Sequence, residues 1–296
     1  MARAVADDAL DAFAEEVGRV TVPHLAPAPA LSSSRLDEQP SFLYRRSGVW
    51  TVRIATAVLL LGSWQLYARN LPRALAAPPS EIASSMYHQL FVDHSIIGPL
   101  LSSLEALSLG FVISMLLGLP LGIAMGRWRP IEYVLDPYVS FLYALPHVAF
   151  VPLMIIWFGF DLKFRLVYVV FSAIFPVVIN TMTGVKNVDP DLLDAGKSFC
   201  ASERQILRGI VLPAAAPFMV AGGRQAFSSA WVGVVVAEVL STQTGLGGLI
   251  THYGNFFLTA AMFVPILFIM IIAVIIQSVT EIVQLRLTPW ANSISD

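Results

Sequence analysis

The chain carries six apolar stretches that are long enough to cross a lipid bilayer as α-helices. Because a helix rises about 1.5 Å per residue, about 20 mainly apolar residues span the hydrocarbon layer. The predicted spans cover about 51–67, 100–125, 138–158, 166–184, 218–240 and 259–283. This pattern predicts an all-α polytopic membrane protein with six transmembrane helices.

The N-terminal region differs from the rest of the chain in being polar. Residues 1–44 contain a short acidic amphipathic helix near the start, followed by a linker rich in Pro and Ser. This helix either docks on another protein or remains marginal in a mobile tail, and both interpretations stay open. The start is acidic and has no apolar core, which argues against a cleaved signal peptide. Residues 45–290 form the predicted membrane domain, and 291–296 form a short C-terminal tail.

Composition supports a membrane protein independently of the span boundaries. Hydrophobic residues make up 56% of the 296 residues and charged residues only 13%, with a mean hydropathy of +0.72. Soluble domains carry about 25% charged residues. The formal net charge of −2 implies no general attraction to nucleic acid. The five histidines are scattered and the single cysteine cannot form an internal disulfide, so neither a metal site nor a cofactor is predicted in the chain.

Between the fourth and fifth spans lies the longest polar segment of the membrane domain, residues 189–213. Asp189 is a suitable N-cap, and Pro190 follows at the first helical position, where a missing N–H costs nothing. A first short helix is therefore predicted to run to about Phe199.

A second short helix is predicted in the same segment. Ser202 and Gln205 have the spacing of a capping box, and Pro213 is expected to end the helix. The dipeptide Cys200-Ala201 must then make a sharp turn between the two helices. A positive φ angle is expected at Cys200, because helices that end in such a turn place a left-handed residue there.

The second span contains small residues at intervals of four. They are Gly110, Ser114, Gly118, Gly122 and Gly126. Helices in lipid associate through close packing, and a ridge of small side chains lets another helix approach. The ridge predicts a tight contact with a second helix, not a nucleotide-binding loop.

Prolines and polar side chains within the spans mark candidates for lining a passage through the membrane. Pro146 and Pro152 interrupt the third span, and such prolines free carbonyl groups that a neighbour or a wet cavity must satisfy. The candidate pathway-lining residues are His147, Asn180, Arg224, Gln225, Trp231 and Glu238. The alternatives are interfacial packing for His147, snorkelling to the membrane surface for Arg224 and a position at the rim for Glu238.

Six spans place both termini on one side of the membrane, and the distribution of basic residues indicates which side. With the N-terminus inside, the interior receives Arg45, Arg46, Arg53, Arg127, Arg129, Lys186, Lys197, Arg204, Arg208 and Arg286. The exterior receives only Arg69, Arg73, Lys163 and Arg165. The positive-inside rule therefore predicts that both termini and the 189–213 segment are cytoplasmic.

Three groups of residues in the polar segment form an ordered pattern: Asp194-Ala195-Gly196, Cys200-Ala201-Ser202 and Ile210-Val211-Leu212-Pro213. This pattern resembles the EAA loop of bacterial ABC-importer permeases, in which Glu-Ala-Ala is followed by three residues, Gly-Ala-Ser and a later Leu-Pro. The chain departs from it with Asp194 in place of Glu, Gly196 in place of the second Ala and Cys200 in place of Gly.

Further motifs extend the resemblance over about residues 78–290. They are Leu135-Asp136-Pro137, Trp157-Phe158-Gly159, Val236-Ala237-Glu238 and Gly245-Leu246-Gly247. Together they most resemble the permeases for nitrate, sulfonates, taurine and bicarbonate. In such permeases the loop forms coupling helices that dock on the ATP-hydrolysing subunit. The resemblance therefore implies ATPase-docking roles for Asp191, Asp194, Ala195, Gly196, Lys197, Cys200, Ala201, Ser202, Glu203 and Pro213.

The resemblance also implies partners and a location. The partners are an ABC ATPase dimer that binds ATP and Mg²⁺, a second permease copy in a homodimer and an extracytoplasmic solute-binding protein, with membrane lipid around them. The location is the bacterial cell membrane. The chain contains no Walker sequence, so the chain itself is predicted to be a transport subunit without enzymatic activity.

The implied function is import of a small anion, such as nitrate, a sulfonate, taurine or bicarbonate, by alternating access. Arg224 would suit an anionic solute. One alternative is an ABC permease for a thiamine precursor or an aromatic solute. Another is a secondary transporter or channel that needs no ATPase, although the six spans show no evident inverted repeat. An intramembrane enzyme is excluded because His147 and Cys200 fall on opposite sides of the predicted topology.

Overall fold

A computed structural model of the protein describes residues 46–241 and 244–287, and it confirms the predicted all-α fold. The helices are α1 (Arg46–Arg69), α2 (Pro79–Tyr87), α3 (Ile97–Arg127), α4 (Arg129–Ala144), α5 (Val151–Phe158), α6 (Leu162–Lys186), α7 (Pro190–Ser198), α8 (Glu203–Ile206), α9 (Leu212–Ser241), α10 (Gly245–Asn255) and α11 (Thr259–Leu287). The predicted N-terminal tail helix and the C-terminal tail lie outside the described residues.

The chain divides into two compact units, residues 1–60 and residues 61–296. The first contributes residues 46–60, the beginning of α1, whose side chains from Trp50 to Leu60 are all exposed. The second contains every other helix. Within it, the Trp64 ring packs 5.6 Å from that of Phe263, between ring centroids.

Five helices in the described ranges are long and apolar enough to cross a membrane, namely α1, α3, α6, α9 and α11. The number becomes six if α4 and α5 together form one bent span. The predicted spans at 51–67, 100–125, 166–184, 218–240 and 259–283 lie within these five helices.

The predicted span over 138–158 is broken at Pro146, as the sequence indicates, whereas Pro152 lies in the first turn of α5 and does not break it. The two helices α4 and α5, joined through a 3₁₀ turn at His147–Phe150, are bent by 92° relative to each other. The break occurs where Leu145 takes an extended conformation, with φ −72° and ψ 143°. The ring of Pro146 causes it, because proline disfavours a helical conformation in the residue before it.

The predicted ridge of small residues on α3 packs against α6. A Cβ atom added at Gly118 would lie 2.9 Å from Val177 Cβ, and one at Gly126 would lie 2.6 Å from Val185 Cβ. Gly110 faces Val169 in the same way. Glycine is required at these positions because the two backbones are too close for any side chain. The predicted tight helix contact is confirmed.

The register of this contact also defines the topology. Residue numbers increase in the same direction along the two helices, since Gly110 lies opposite Val169 and Gly126 lies opposite Val185. The helices α3 and α6 therefore run parallel over about 24 Å. The chain must therefore return across the membrane between the end of α3 and the start of α6. The bent pair α4–α5 makes that return, which brings the number of crossings to six.

Helix α9 packs on α6 in the opposite direction. Gly184 faces Phe218, Gly222 faces Asn180, and Gly233 faces Ser172. Residue numbers decrease along α6 as they increase along α9, so the two helices are antiparallel. The main apolar core lies where α3, α6, α9 and α11 meet. It includes Leu107, Val169, Val177, Trp231 and Val264.

The two ends of the bundle carry different connections. One end, the loop side, holds the end of α3, the start of α4, the end of α6 and residues 187–211. The opposite side holds α2, the α5–α6 turn and the half-helix α10. There, Thr259 Oγ1 donates to the Ala74 carbonyl at 2.8 Å, and Gln89 Nε2 donates to the Ala261 carbonyl at 3.2 Å.

Candidate functional site: the docking loop and the membrane cavity

The first helix of the docking loop (residues 189–213) begins as the sequence predicts. Asp189 Oδ1 accepts a hydrogen bond from the Asp191 N–H at 2.9 Å, and Pro190 occupies the first helical position. Asp191 in the first turn and Lys197 in the last turn complement the helix dipole. These local interactions fix α7 without support from a partner.

The turn after α7 is a Schellman motif with Cys200 in the left-handed conformation. The Cys200 N–H donates to the Lys197 carbonyl at 2.8 Å, and the Ala201 N–H donates to the Gly196 carbonyl at 3.1 Å. The φ angle of Cys200 is +56°, so the predicted positive φ is confirmed. The turn directs the chain from α7 into α8.

A glycine in place of Cys200 should stabilise the turn that follows α7. Left-handed conformations cost residues with a Cβ atom about 1 kcal/mol, so Cys200→Gly should increase the protection of the Cys200 and Ala201 amides from hydrogen exchange. Cys200→Val should decrease it, because a β-branched residue tolerates positive φ least. Ser198→Gly is the matched control: Ser198 is helical, so glycine there should lower protection. Equal effects of the two glycine substitutions would contradict the role of the left-handed turn.

The second helix of the loop starts as predicted but does not end where predicted. The Ser202 N–H donates to Gln205 Oε1 at 2.7 Å, which is the side-chain contact of a capping box. The expectation that Pro213 ends the helix is wrong. The chain continues from α8 through a π-helical turn at Leu207–Val211 into α9. The Leu212 N–H bonds to the Leu207 carbonyl, and Pro213, which has no N–H, then follows without leaving a donor unpaired.

Several of the predicted ATPase-docking residues form the exposed polar surface of the loop. Lys197 Nζ lies 2.9 Å from Asp194 Oδ1, and their side chains are 62% and 71% exposed. Asp191 and Ser202 are also exposed, as is Pro213 at the start of α9. Glu203 is exposed but pairs with Arg127 at the end of α3, so it ties the loop to the membrane helices.

Other predicted docking residues face the interior of the loop. Gly196 is buried, and a Cβ atom there would lie 2.8 Å from Ile210 Cδ1, so the glycine allows α7 to pack against the π-helical turn. Ala201 is half-buried, whereas Ala195 on the other face of α7 is exposed. Gly196 and Ala201 therefore contribute to packing within the loop, and their contact with an ATPase stays a prediction.

The sequence interpretation missed the apolar part of the exposed surface. Phe199 at the end of α7 is 86% exposed, and Leu192 is 50% exposed. The two lie seven residues apart, which places them on one face of a helix. The seven-residue spacing of two apolar side chains on a short, capped and otherwise polar helix could have identified this apolar surface from the sequence. A large exposed aromatic on a short rigid helix is typical of a contact with another protein.

A cavity of about 380 Å³ opens between α4, α6 and α9 within the membrane domain. It is lined by Tyr143, His147, Val148, Tyr168, Ser172, Ser228, Ser229, Val232, Gly233 and Val236. Several of these side chains carry hydroxyl groups. His147 is one of the predicted pathway residues, and its Nε2 atom is buried with no hydrogen-bond partner in the described part of the chain.

Two further predicted pathway residues connect to this cavity. Asn180 Nδ2 donates to Gln225 Oε1 at 3.2 Å, and Gln225 Nε2 donates to Tyr143 Oη at 3.3 Å. Tyr143 lines the cavity. The structure thus links Asn180 and Gln225, through Tyr143, to the cavity that His147 lines.

The remaining three predicted pathway residues lie elsewhere. Arg224 faces an apolar groove between α3, α9 and α11 and donates to Gln284 Oε1 at 3.0 Å. Trp231 is buried in the core, where its Nε1 donates to the Ile269 carbonyl at 3.3 Å. Glu238 has no exposed surface. None of these three side chains lines the cavity between α4, α6 and α9, and each contacts another helix, so their assignment to the passage stays a prediction.

Glu238 lies in a buried polar network on the side opposite the docking loop, not at a rim. Its carboxylate accepts from Ser103 Oγ at 2.8 Å, from the Gly247 N–H at 3.1 Å and from the Arg165 guanidinium at 3.2 Å. Ser103 Oγ in turn accepts from the Leu246 N–H at 2.9 Å. The network joins α3, α6, α9 and the N-terminus of α10. Sequence reasoning placed Arg165 in an exterior loop and did not pair it with Glu238.

The backbone of Gly245 lies directly against the Glu238 carboxylate. Its φ is +80°, and a Cβ atom there would overlap the Glu238 carboxylate. Only glycine combines that conformation with so close an approach. The motif Gly245-Leu246-Gly247 thus packs closely against a buried carboxylate, to which the Gly247 N–H donates directly, while the Leu246 N–H donates to Ser103.

Comparisons with known proteins agree with this architecture. The chain is 29% identical to the putative aliphatic sulfonates transport permease protein of Bacillus subtilis (strain 168), over 90% of this chain and 95% of the relative. It is 30% identical to the taurine transport system permease protein of Escherichia coli (strain K12), over 82% of this chain and 91% of the relative.

A solved structure of the MetNI methionine ABC transporter in an inward-facing conformation has a similar fold. It is 18% identical, with a TM-score of 0.59, and the match covers 65% of this chain and 96% of that chain. Residues 118–291 match the family described as binding-protein-dependent transport system inner membrane component, a range that includes the docking loop and the cavity-lining helices α6 and α9. The chain therefore belongs to the family of binding-protein-dependent transport system inner membrane components.

Proposed function

We propose that this chain, as the permease subunit of an ABC importer, carries a small organic sulfonate into the cell by alternating access. A separate ATPase docked on the loop at 189–213 supplies the energy. The similarity to the sulfonate and taurine permeases, at 29% and 30% identity over 90% and 82% of this chain, is the observation that carries the solute class.

The cavity between α4, α6 and α9 offers groups that suit such a solute. Its hydroxyl groups, on Tyr143, Ser228 and Ser229, can donate to sulfonate oxygens. The Nε2 atom of His147, which has no hydrogen-bond partner among the residues that the structure describes, is a further candidate contact. Neutral donors bind an anion weakly enough for it to be released, as transport requires. The Arg224 side chain, which suggested an anion from the sequence, does not contribute here because it faces another groove.

The cavity is open at its edge, where Val148 and Val232 are 51% and 62% exposed. We infer that a second copy of the chain closes it in a homodimer, surrounded by the lipid of the bacterial plasma membrane. An external solute-binding protein delivers the solute. ATP and Mg²⁺ bind to the ATPase, and this chain performs no hydrolysis.

The docking loop suits transmission of force because its conformation is fixed internally. Caps at Asp189 and Ser202 define both helices, and α8 continues through the π-helical turn into α9, which lines the cavity. Displacement of the loop by an ATPase would therefore be transmitted to α9 directly. The exposed pair Asp194–Lys197 and the exposed ring of Phe199 are the proposed contacts.

The test uses the full-length chain co-expressed with its ATPase and reconstituted in liposomes with the binding protein. We expect taurine or an alkanesulfonate to accumulate only when ATP is supplied on the docking-loop side. Asp194→Lys and Phe199→Ala should each reduce co-purification of the ATPase at least about tenfold, since each removes a contact worth 1.4 kcal/mol or more.

Asp93→Lys is the matched control, because Asp93 is exposed on the side opposite the docking loop and its reversal should leave ATPase co-purification unchanged. Uptake without any ATPase would refute the coupling mechanism. Uptake of a thiamine precursor in preference to a sulfonate would refute the solute class alone.

A further inference from the structure

A second cavity lies at the loop side of the membrane domain, where the α3–α4 turn meets the end of α6 and the docking loop. Its volume is about 500 Å³. Three basic side chains line it, Arg127, Arg129 and Lys186, against one acidic side chain, Glu132. The excess of positive charge favours an anionic ligand.

The three cations are not equally engaged. Lys186 Nζ lies 2.5 Å from Glu132 Oε1, and Arg127 pairs with Glu203 of the docking loop. Arg129 is exposed and forms no ion pair with any residue in the described ranges. One full cation therefore remains available, beside two whose remaining N–H groups can still donate.

The surroundings of the cavity are those of a membrane surface. Trp128, between the two arginines, is 54% exposed, and Tyr133 on the cavity wall is 76% exposed. Exposed Trp and Tyr at the end of a span are typical of the level of lipid headgroups. Further along α4, Tyr138 and Phe141 are 65% and 62% exposed, so an apolar face continues from the cavity towards the interior of the bilayer.

We propose that this cavity binds the phosphate headgroup of an anionic phospholipid from the leaflet on the docking-loop side. Arg129 is the principal contact, and Arg127 and Lys186 supply further donors. Basic pockets between membrane helices on the cytoplasmic side bind such headgroups in general. The acyl chains extend along the exposed aromatic face of α4.

Because of the position of the site, a bound lipid should also affect the docking loop. Leu193 of α7 and Val211 of the π-helical turn also line the cavity. A bound headgroup thus contacts both the membrane helices and the docking loop. Lipid occupancy should hold the loop in the orientation seen here.

The test is a titration of the purified full-length chain, in neutral mixed micelles, with short-chain phosphatidylglycerol, followed by native mass spectrometry. Arg129→Gln should weaken binding of this lipid about fivefold, as expected for the loss of one cation near an anionic headgroup. Arg129→Lys should retain most of the binding. Because Arg129 is exposed and has no ion pair within residues 46–241 and 244–287, its replacement should leave the helix packing intact, and an unchanged melting temperature without lipid checks this.

Arg286→Gln is the matched control, because Arg286 is a basic residue at the loop-side end of α11 that does not line the cavity. It should leave binding unchanged. If Arg286→Gln weakened phosphatidylglycerol binding as much as Arg129→Gln, the site would be refuted, because binding would then depend only on the total charge of the protein. Unchanged binding in Arg129→Gln would also refute it. A parallel titration with inorganic phosphate should show no binding at matched concentrations, and saturation by phosphate alone would overturn the assignment to lipid.

Discussion

Replacing Arg165 by Met is expected to lower the free energy of unfolding by about 3–5 kcal/mol. Arg165 and Glu238 have side chains 7% and 0% exposed, and the substitution removes the guanidinium that pairs with the buried Glu238 carboxylate. The measurement is unfolding by titration with SDS in mixed micelles.

Two further variants separate the ion pair from general packing. Arg165→Met combined with Glu238→Gln removes both charges but keeps a side-chain acceptor for Ser103 and the Gly247 N–H, so it should recover most of the lost stability. Lys163→Met is the control for charge at this end of α6, because Lys163 is exposed, and it should change stability by less than about 0.5 kcal/mol. A double variant as unstable as the single one would show that the pair is not the source of the effect.

Gly122→Ala is expected to destabilise the protein by about 1–3 kcal/mol, and Gly122→Leu should prevent the folded protein from accumulating in the membrane. A Cβ atom at this position would lie 2.7 Å from both Thr181 Cβ and the Val178 carbonyl oxygen. Neither is the flexible end of a side chain, so α3 and α6 would have to separate. The same SDS titration measures the first effect, and the yield of monodisperse protein measures the second.

Gly98 offers the matched comparison on the same helix. A Cβ atom there would meet no other atom within 4 Å, so Gly98→Ala should be neutral within about 0.5 kcal/mol. If Gly122→Ala were as mild as Gly98→Ala, the close contact between α3 and α6 would not exist as described.

Features that depend on neighbouring residues could be predicted from the sequence. The caps at Asp189 and Ser202, the left-handed Cys200 and the ridge from Gly110 to Gly126 are all defined by spacings of a few residues. The spacing of the caps follows from free backbone N–H groups that need an acceptor. The spacing of the ridge follows from the close approach of two helices. The family resemblance rested on the same kind of short motif.

Features that depend on which helices meet could not be predicted in this way. Arg165 and Glu238 are 73 residues apart, and nothing in either span indicates that they are partners. The rotation of α9 decides that Gln225 points towards Tyr143 while Arg224, its neighbour, points towards Gln284. The 92° bend before His147 follows from Pro146, but its angle is set by the packing of α4 and α5 on their neighbours. The presence of a proline also led to the wrong prediction that the helix ends at Pro213. There the preceding π-helical turn allows the chain to continue into α9.

The absence of clearance between α3 and α6 has a mechanical consequence. Two parallel helices that interlock glycine against valine over about 24 Å can neither slide nor roll without first separating, so they behave as one rigid body. Any rearrangement that alternately opens the cavity has to occur around this block, and we expect the bend at Leu145–Pro146 to act as the hinge. Freezing that hinge would stop the transport cycle while leaving the block, and the folded protein, untouched.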